Sequence, residues 1–358
     1  MLFFILCLIP LVIPFIAKKL FGDEMTWQEI AGCCVLPTVI MGVVFIGGTY
    51  SSIHDTQIMN GKVTSKERKE GSCRHDYKCR CYTTTHRNSN GSYSTTEHCS
   101  TCYDHDYDVY WYVHTSLGRS YDIDTKDRQG LIEPERWTQV VIGEPVSDTS
   151  TYINYIKGAQ ASLFNLKKYA KETATVPAYP SNVYDLWKIN RVVPMGVNMS
   201  NINDFNYGIG EILKDLGGTK QVNVVMAVTN KPLDYAYAIR NAWLGGKKND
   251  VVIVVGATSY PKIDWVHVFS WSKEEMVNVK IRDDLMVLGT MQDSADVLEI
   301  VKNDINKHYQ RKSMSEFEYL KNEVEPSETV IWWTLIIGIL FSIGSTWFCV
   351  KNDIKAGK

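Results

Sequence analysis

The segment Val330 to Val350 (VIWWTLIIGILFSIGSTWFCV) limits the folds open to this chain more than any other stretch. It carries no charge and has about the ~20 residues that a helix needs to cross a hydrocarbon core. Trp332, Trp333 and Trp347 lie near its ends, where aromatic belts form, and Lys351, Lys355 and Lys358 follow it. A spanning helix is therefore expected in preference to a buried soluble one. Ile30 to Gly48 is a second uncharged candidate, slightly short. Met1 to Ala17 is a third and contains Pro10 and Pro14. It has no basic residue before its apolar run and no small-residue cleavage site, so it is a poor secretory signal. A retained helix kinked at its prolines is expected there, with a cleaved or interfacial segment as the alternative. Lys18 and Lys19 form one basic set and the lysines after the third segment another. Both belong on the cytoplasmic side if the body from Ser51 to Thr329 lies outside.

That body is polar and rich in tyrosine. The chain has 358 residues, 45% hydrophobic and 22% charged, which is enough for two domains with real cores. Its formal net charge of -2 gives no reason to expect a nucleic-acid partner.

Five cysteines cluster early in the body as C-x5-C-x-C-x17-C-x2-C: Cys73, Cys79, Cys81, Cys99 and Cys102. His75, His86, His98 and His105 are interleaved with them. The stretch Thr83 to Thr96 is rich in Thr, Ser and Asn, which suits a hairpin tip. An extracytoplasmic body favours disulfides, with one cysteine left over. The alternatives are free thiols and zinc held by Cys79, Cys81, Cys99 and Cys102, a histidine being able to replace one thiolate; C-x-C is tighter than the usual ligand pair. Cys7, Cys33, Cys34 and Cys349 fall in apolar segments, as small hydrophobes or lipidation candidates.

Tyr107 to Ser116 reads as a strand, and Arg119 to Asp124 as its hairpin partner. Asp122, Asp124, Asp127 and Glu133 invite a calcium reading, but Lys126 and Asp127 break the EF-hand spacing, so a solvated acidic turn is expected. Trp137 to Ile142 reads as a short strand between Glu133-Pro134 and Glu144-Pro145. Thr151 to Tyr169 reads as a mixed amphipathic segment, and Lys171 to Pro194, with three prolines, as an extended connector.

The second half of the body has clearer periodicity. Asn203 to Leu216 fits a helix, capped by Asn203 or Asp204 and ended by Gly217-Gly218. Val222 to Thr229 is a strand. A helix from Pro232 runs to Gly245-Gly246. Val251 to Val255 is an unbroken β-branched run, hence a strand buried on both faces and parallel to the one before it. Trp265 to Trp271 alternates, so Trp265, His267 and Phe269 face one way and Val266 and Val268 the other, in an antiparallel neighbour. Asp293 or Ser294 caps a helix, and Ser313 to Glu316 is a capping box before another. Ser272 to Glu275 looks similar, although Val277, Val279 and Ile281 alternate.

This order of parts, from Asn203 to about Glu323, resembles the TPM domain family, whose members include thylakoid, photosystem and receptor-modulator proteins. The strand VNVVMAVT, the helix LDYAYAIRNAW and the turn and strand GKKNDVVIVVG carry the likeness. The resemblance implies an extracytoplasmic domain tethered by a C-terminal membrane helix. It implies roles in assembling or maintaining membrane complexes, with metal binding or weak phosphatase activity in some members. The two N-terminal apolar segments and the cysteine insert depart from the family plan. As a whole the chain is also similar to uncharacterised membrane proteins of bacteria and their tailed phages.

The expected organisation is thus an α/β (α+β) TPM-like sheet flanked by helices at 201–325. A connector at 151–200 and a β-rich region at 51–150, with its cysteine insert at 73–102, precede it. Transmembrane helices are expected at 1–17, 30–48 and 330–350. Ligands of open α/β sheets favour the carboxyl ends of the strands. Asn230, Thr258, Ser259 and Asp264 stand there, with Asp283 and Asp284 as further carboxylates able to hold a divalent cation, zinc or calcium. Packing and solvated surface explain the same residues. No phosphate loop or nucleophile motif is present; Gly245 to Lys248 has the composition of a helix cap and turn. The sequence therefore points first to a non-enzymatic extracytoplasmic module that contacts the bilayer and binds or stabilises another membrane or envelope protein. A metal-dependent, phosphatase-like hydrolase is the second reading, and a zinc or redox sensor built on the cysteine insert the third.

Overall fold

The computed structural model describes residues 2–21, 25–89, 91–159 and 170–352. The fold is mixed α/β with a helical bundle at one end. Helices α1 (Leu2–Phe21) and α2 (Trp27–Ile53) open the chain and α10 (Glu328–Asn352) closes it. By length and composition α2 and α10 are long and apolar enough to cross a membrane. Helix α1 continues through Pro10 and Pro14. Pro14 has no N–H to donate to the carbonyl of Pro10. That carbonyl instead accepts a hydrogen bond of 2.6 Å from Ser342 Oγ of α10, so the helical gap in α1 is closed by a neighbouring helix. Leu6 and Cys7 pack on Met41 of α2 and on Ile331 and Leu335 of α10. At the other end of the bundle Ala17, Met25, Ile30 and Cys33 meet Cys349. Lys18, Lys19 and Lys351 therefore gather at the end of the bundle away from the body. Lys355 and Lys358 lie outside the described residues.

The end of α2 leads directly into β1 (His54–Ser72), which begins the first sheet. Strands β4 (Tyr107–Thr115), β5 (Ser120–Ile123) and β6 (Pro145–Ile153) complete it in the order β5-β4-β1-β6. The two halves of β1 serve different partners. His54 to Lys62 pairs antiparallel with β6, and Val63 to Ser72 antiparallel with β4, with a register irregularity at Val63/Ser65. Between β1 and β4 the chain leaves the sheet as a two-stranded ribbon, β2 (Asp76–Arg87) and β3 (Tyr93–Tyr103). The core of this half is Val63, Val109, Trp111, Val113, Val146 and Trp187 with their neighbours. Trp137 packs edge-on against Trp111 at 4.7 Å. Residues 135–139 form the short helix α3 (Glu135–Gln139) rather than the strand expected over Trp137 to Ile142. Pro134 is the N-cap of this helix, and the indole of Trp137 is satisfied by the Tyr112 carbonyl at 3.1 Å. The acidic turn is solvated, as expected. Asp127 accepts from the N–H groups of Leu131 and Ile132 at 3.0 and 2.8 Å, which holds its carboxyl below the usual range.

After β6 comes α4 (Tyr155–Gly158); of the amphipathic segment expected over Thr151 to Tyr169, the remainder lies largely outside the described residues. The expected connector is more structured than its prolines suggested. It contains α5 (Ala170–Thr173), the small hairpin of β7 (Val183–Tyr184) and β8 (Lys188–Ile189), and β9 (Val192–Met195). Strand β9 carries Pro194 and is an edge strand, where a missing ladder donor is tolerated.

The second sheet has the order β12-β11-β10-β9. Its central strands β10 (Asn223–Thr229) and β11 (Asp250–Gly256) are parallel, and every residue of both is buried. Strand β12 (Trp265–Ser270) is antiparallel to β11. Helix α6 (Ile202–Lys220) starts at Asn201 and runs past Gly217-Gly218 to a left-handed Gln221, correcting both expected ends. Position 217 takes glycine within the helix because it lies against the backbone of Asn60, where a Cβ would collide. Phe205, Ile209 and Leu213 of α6, with α8 (Met276–Leu288) and α9 (Ser294–His308), cover Val224, Met226 and Ile253 on one face of the sheet. Helix α7 (Asp234–Ala242) covers Val225, Ala227, Val252 and Val254 on the other with Tyr235 and Ile239. The ambiguous alternation after Ser272 resolves as helical: Val277 and Ile281 are buried one turn apart, and Val279 is exposed. Asp293 caps α9, and the capping box at Ser313 and Glu316 forms at the start of the 3-10 segment Met314–Glu323.

A buried polar seam joins the two sheets. Arg191, fully enclosed, donates to Asn60 Oδ1 at 2.6 Å, to Asn223 Oδ1 at 3.1 Å, to Ile189 O at 3.3 Å and to Ser147 Oγ. Asn223 donates in turn to Asp250 at 3.0 Å. Burial pushes Arg191 down to about 10 and Asp250 up to about 6, the latter against hydrogen bonds from Asn223, Lys247 N and Tyr179.

Candidate functional site at the root of the cysteine ribbon

The ribbon shows why its cysteines are spaced unevenly. Cys79 stands opposite Ser100 and Tyr82 opposite His98, so Arg80 and Cys81 of β2 face the single residue Cys99 of β3. This is a β-bulge, and Arg80 takes a positive φ of 48° within it. The bulge sets Cys81 against Cys99 while Cys79 reaches diagonally to Cys102. Both pairs are disulfide-bonded. The four thiolates weighed as a zinc set are thus consumed in two cross-links, which leaves Cys73 as the unpaired member of the five.

Cys73 sits where the ribbon leaves the sheet. The β1–β4 ladder ends with Gly71 opposite Asp108 and Ser72 opposite Tyr107, and the ribbon begins with Asp76 opposite Tyr103. The two crossing segments between these ladders carry Cys73 and His75 on one side and His105 on the other. Asp104 N donates to His75 O at 3.1 Å and closes the neck. The donor atoms of Cys73, His75, His105 and Asp108 all lie within 4.8 Å of one another. Asp108 is the hub: its Oδ1 is 3.3 Å from His75 Nδ1 and accepts from His105 Nε2. Its Oδ2 accepts from Arg74 N at 2.7 Å and from Tyr110 OH at 3.4 Å. Cys73 Sγ accepts from His75 N at 3.3 Å and lies 3.9 Å from His75 Nδ1. Cys73 and Asp108 are buried and the imidazoles half-buried. Burial alone would raise the Asp108 carboxyl, but the His105 bond, the Arg74 N–H and the charges of His75 and His105 hold it at about 2.

The residues expected at the carboxyl ends of the strands are placed differently. Asn230, Thr258, Ser259 and Asp264 are exposed. Asp264 accepts from Thr258 N at 2.7 Å and is held below its ordinary range by that bond, as in a self-capped loop. Asp283 pairs with Arg282 at 2.8 Å, and Asp284 with Lys280 at 2.8 Å, both on α8. His267 and Arg282 do share a cleft, of about 220 Å³, with Arg240 and Asn278. Burial and then the two arginines push the His267 imidazole down. Gly245 and Gly246, at φ of 74° and 82°, form the expected helix cap and turn. Among the described residues, the groups arranged to hold a metal ion include none of these carboxylates.

Cys73, His75 and His105 are visible in the sequence, as C-x-H before the ribbon and a histidine after it. Asp108 is the residue sequence reasoning missed, because it sits inside the aromatic strand YDVYWYVHT. A lone buried carboxylate in such a strand is the signal that points to it. Comparison of this chain with protein-family models, with curated proteins and with solved structures gives no match.

Proposed function

We propose that the chain is a membrane-anchored module whose body lies outside the cytoplasm, and that its β2–β3 ribbon docks another membrane or envelope protein. The observation that carries this reading is the ribbon itself. No residue of either strand is buried, and Tyr77, Tyr82, Tyr93 and Tyr103 stand exposed along it. Such a ribbon has no core of its own, and an isolated hairpin is marginal in water. Two disulfides nevertheless hold it in one shape. A rigid arm bearing exposed aromatics has the composition of a binding surface and loses little freedom on docking.

The proposal includes α1 as a third spanning helix. Its support is the packing of α1 on α2 and α10 and the Ser342 bond that satisfies Pro10. The orientation is supported by the lysines at the far end of the bundle and by the disulfides, which persist in oxidising compartments. The TPM-like reading of residues 203–323 belongs to the same proposal, and rests on the order of helix, parallel strand pair, antiparallel strand and closing helices. The hydrolase reading gains no support from Asp283 and Asp284, each paired to a cation on its own helix.

A photo-crosslinking residue at Tyr82 or Tyr93, compared in intact membranes with one at exposed Tyr207 on α6, tests the docking claim. The expected result is one discrete protein adduct from the ribbon positions alone. Equal labelling from all three positions, or adducts with lipid only, would show that the ribbon is not a docking arm.

A further inference from the structure

We propose that Cys73, His75, His105 and Asp108 form a four-ligand site for a zinc ion at the root of the ribbon. The inference stands apart from the docking reading, and the site lies outside the residues that resemble the TPM family.

Three observations carry it. The first is the donor set. One thiol, two imidazoles and one carboxylate are all ligand types that zinc accepts, whereas calcium and magnesium select oxygen ligands alone. The second is spacing. Tetrahedral zinc with bonds of about 2.0–2.3 Å separates its ligand atoms by roughly 3.3–3.8 Å. His75 Nδ1 and Asp108 Oδ1 are 3.3 Å apart, Cys73 Sγ and His75 Nδ1 are 3.9 Å apart, and all four donor atoms fall within 4.8 Å. The third is support from the surrounding shell. Arg74 N and Tyr110 OH occupy Asp108 Oδ2 and so turn Oδ1 toward the other ligands. His75 N donates to Cys73 Sγ and holds the sulfur beside the imidazole. Orientation of ligands by such outer bonds is a general feature of metal sites. A His–Asp ion pair alone accounts for His105 and Asp108. It does not account for Cys73 and His75 closing on the same carboxylate oxygen from the opposite strand of the neck.

Zinc here would join the end of β1 to the start of β4 and fix the angle at which the ribbon leaves the sheet. It would also mask the one unpaired thiol of a disulfide-bearing region. The two kinds of cross-link are compatible, because the zinc ligands and the four disulfide cysteines do not overlap.

The test uses the full chain purified in detergent without chelator or reductant. Metal analysis is expected to find about one zinc per chain, replaceable by cobalt with a thiolate-to-cobalt charge-transfer band. Cys73→Ser should abolish that band. Asp108→Asn should weaken metal binding by more than the about 10–100-fold typical of an outer-shell change, and Tyr110→Phe by an amount nearer that range. Cys79→Ser with Cys102→Ser should retain the band. Should Cys73→Ser fail to fold, alkylation of unaltered protein decides: zinc is expected to protect Cys73 at least tenfold relative to chelator-treated protein. No bound zinc in wild type with intact disulfides, a band that survives Cys73→Ser but is lost without Cys79 and Cys102, or equal alkylation with and without zinc would each overturn the proposal.

Discussion

Strands β10 and β11 and the ribbon β2–β3 are opposite solutions to the problem of holding a strand pair. Every residue of the first pair is buried, and no residue of the second is. The first pair is stabilised by apolar area removed from water on both faces. The second has no such area and depends on two disulfides and on the hydrogen-bonded neck at its root. The contrast implies that insults to the core and insults to the cross-links should be felt in different places.

The largest effect is expected in the α/β layer. Phe205 is fully buried against β10 and β11. Phe205→Ala should cost about 3–5 kcal/mol of stability in denaturant unfolding of the detergent-solubilised protein. A cost below about 1 kcal/mol would mean that this layer is not held by burial.

Reduction should act locally. The disulfides close loops separated by 23 and 18 residues, each worth about 3 kcal/mol in the chain-entropy view. That stabilisation belongs to the ribbon, so mild reductant should expose residues 76–103 to protease while the unfolding midpoint of the body stays fixed. A body midpoint that falls with reduction would erase the distinction between the regions.

The buried carboxylates extend the comparison to pH. Asp250, the first residue of β11 and part of the buried seam, is raised from 3.8 to about 6, so its ionised form is disfavoured in the folded chain. Its contribution to stability is greatest below the unfolded value near pH 4 and declines as pH rises to about 6, by on the order of 3 kcal/mol. Asp108, at the ribbon root, is lowered to about 2. In the metal-free chain its contribution is present above pH 4 and is lost as pH falls through 2. Asp250→Asn should flatten the stability profile between pH 4 and 6, as read by urea midpoints across that range. An unchanged slope would remove Asp250 from the account.

The smallest effect is expected on the ribbon surface. Tyr82→Ala should change stability by less than about 0.5 kcal/mol, since the ring is exposed, yet weaken partner capture. A large loss of stability would show that the ring packs in the native protein.

The two regions also differ in how far the sequence reveals them. Strands buried on both faces leave unbroken β-branched runs such as VVIVV, and the helices between them carry caps and glycine stops, so β10, α7, β11 and β12 are legible. Strand β1 is not, because HDTQIMNGKVTSKERKEGS is held by neighbours on both edges rather than by an apolar face. Strand β9 hides behind Pro194 and its shortness. At the ribbon root the cysteine and histidines can be read, but their meeting with Asp108 depends on the β1–β4 register, which sets Gly71 opposite Asp108, 37 positions further along the chain. The pairing of C-x-C with C-x2-C likewise depends on a bulge that no local residue announces.

Thiol mapping of Cys79 and Cys102 from each side of the membrane tests the central claim most directly. With sealed vesicles of known orientation and an impermeant maleimide, the account predicts no labelling before reduction. After reduction, labelling should come from the extracytoplasmic face alone. Labelling of either cysteine from the cytoplasmic face without reductant would contradict both the orientation of the body and the disulfide-held ribbon.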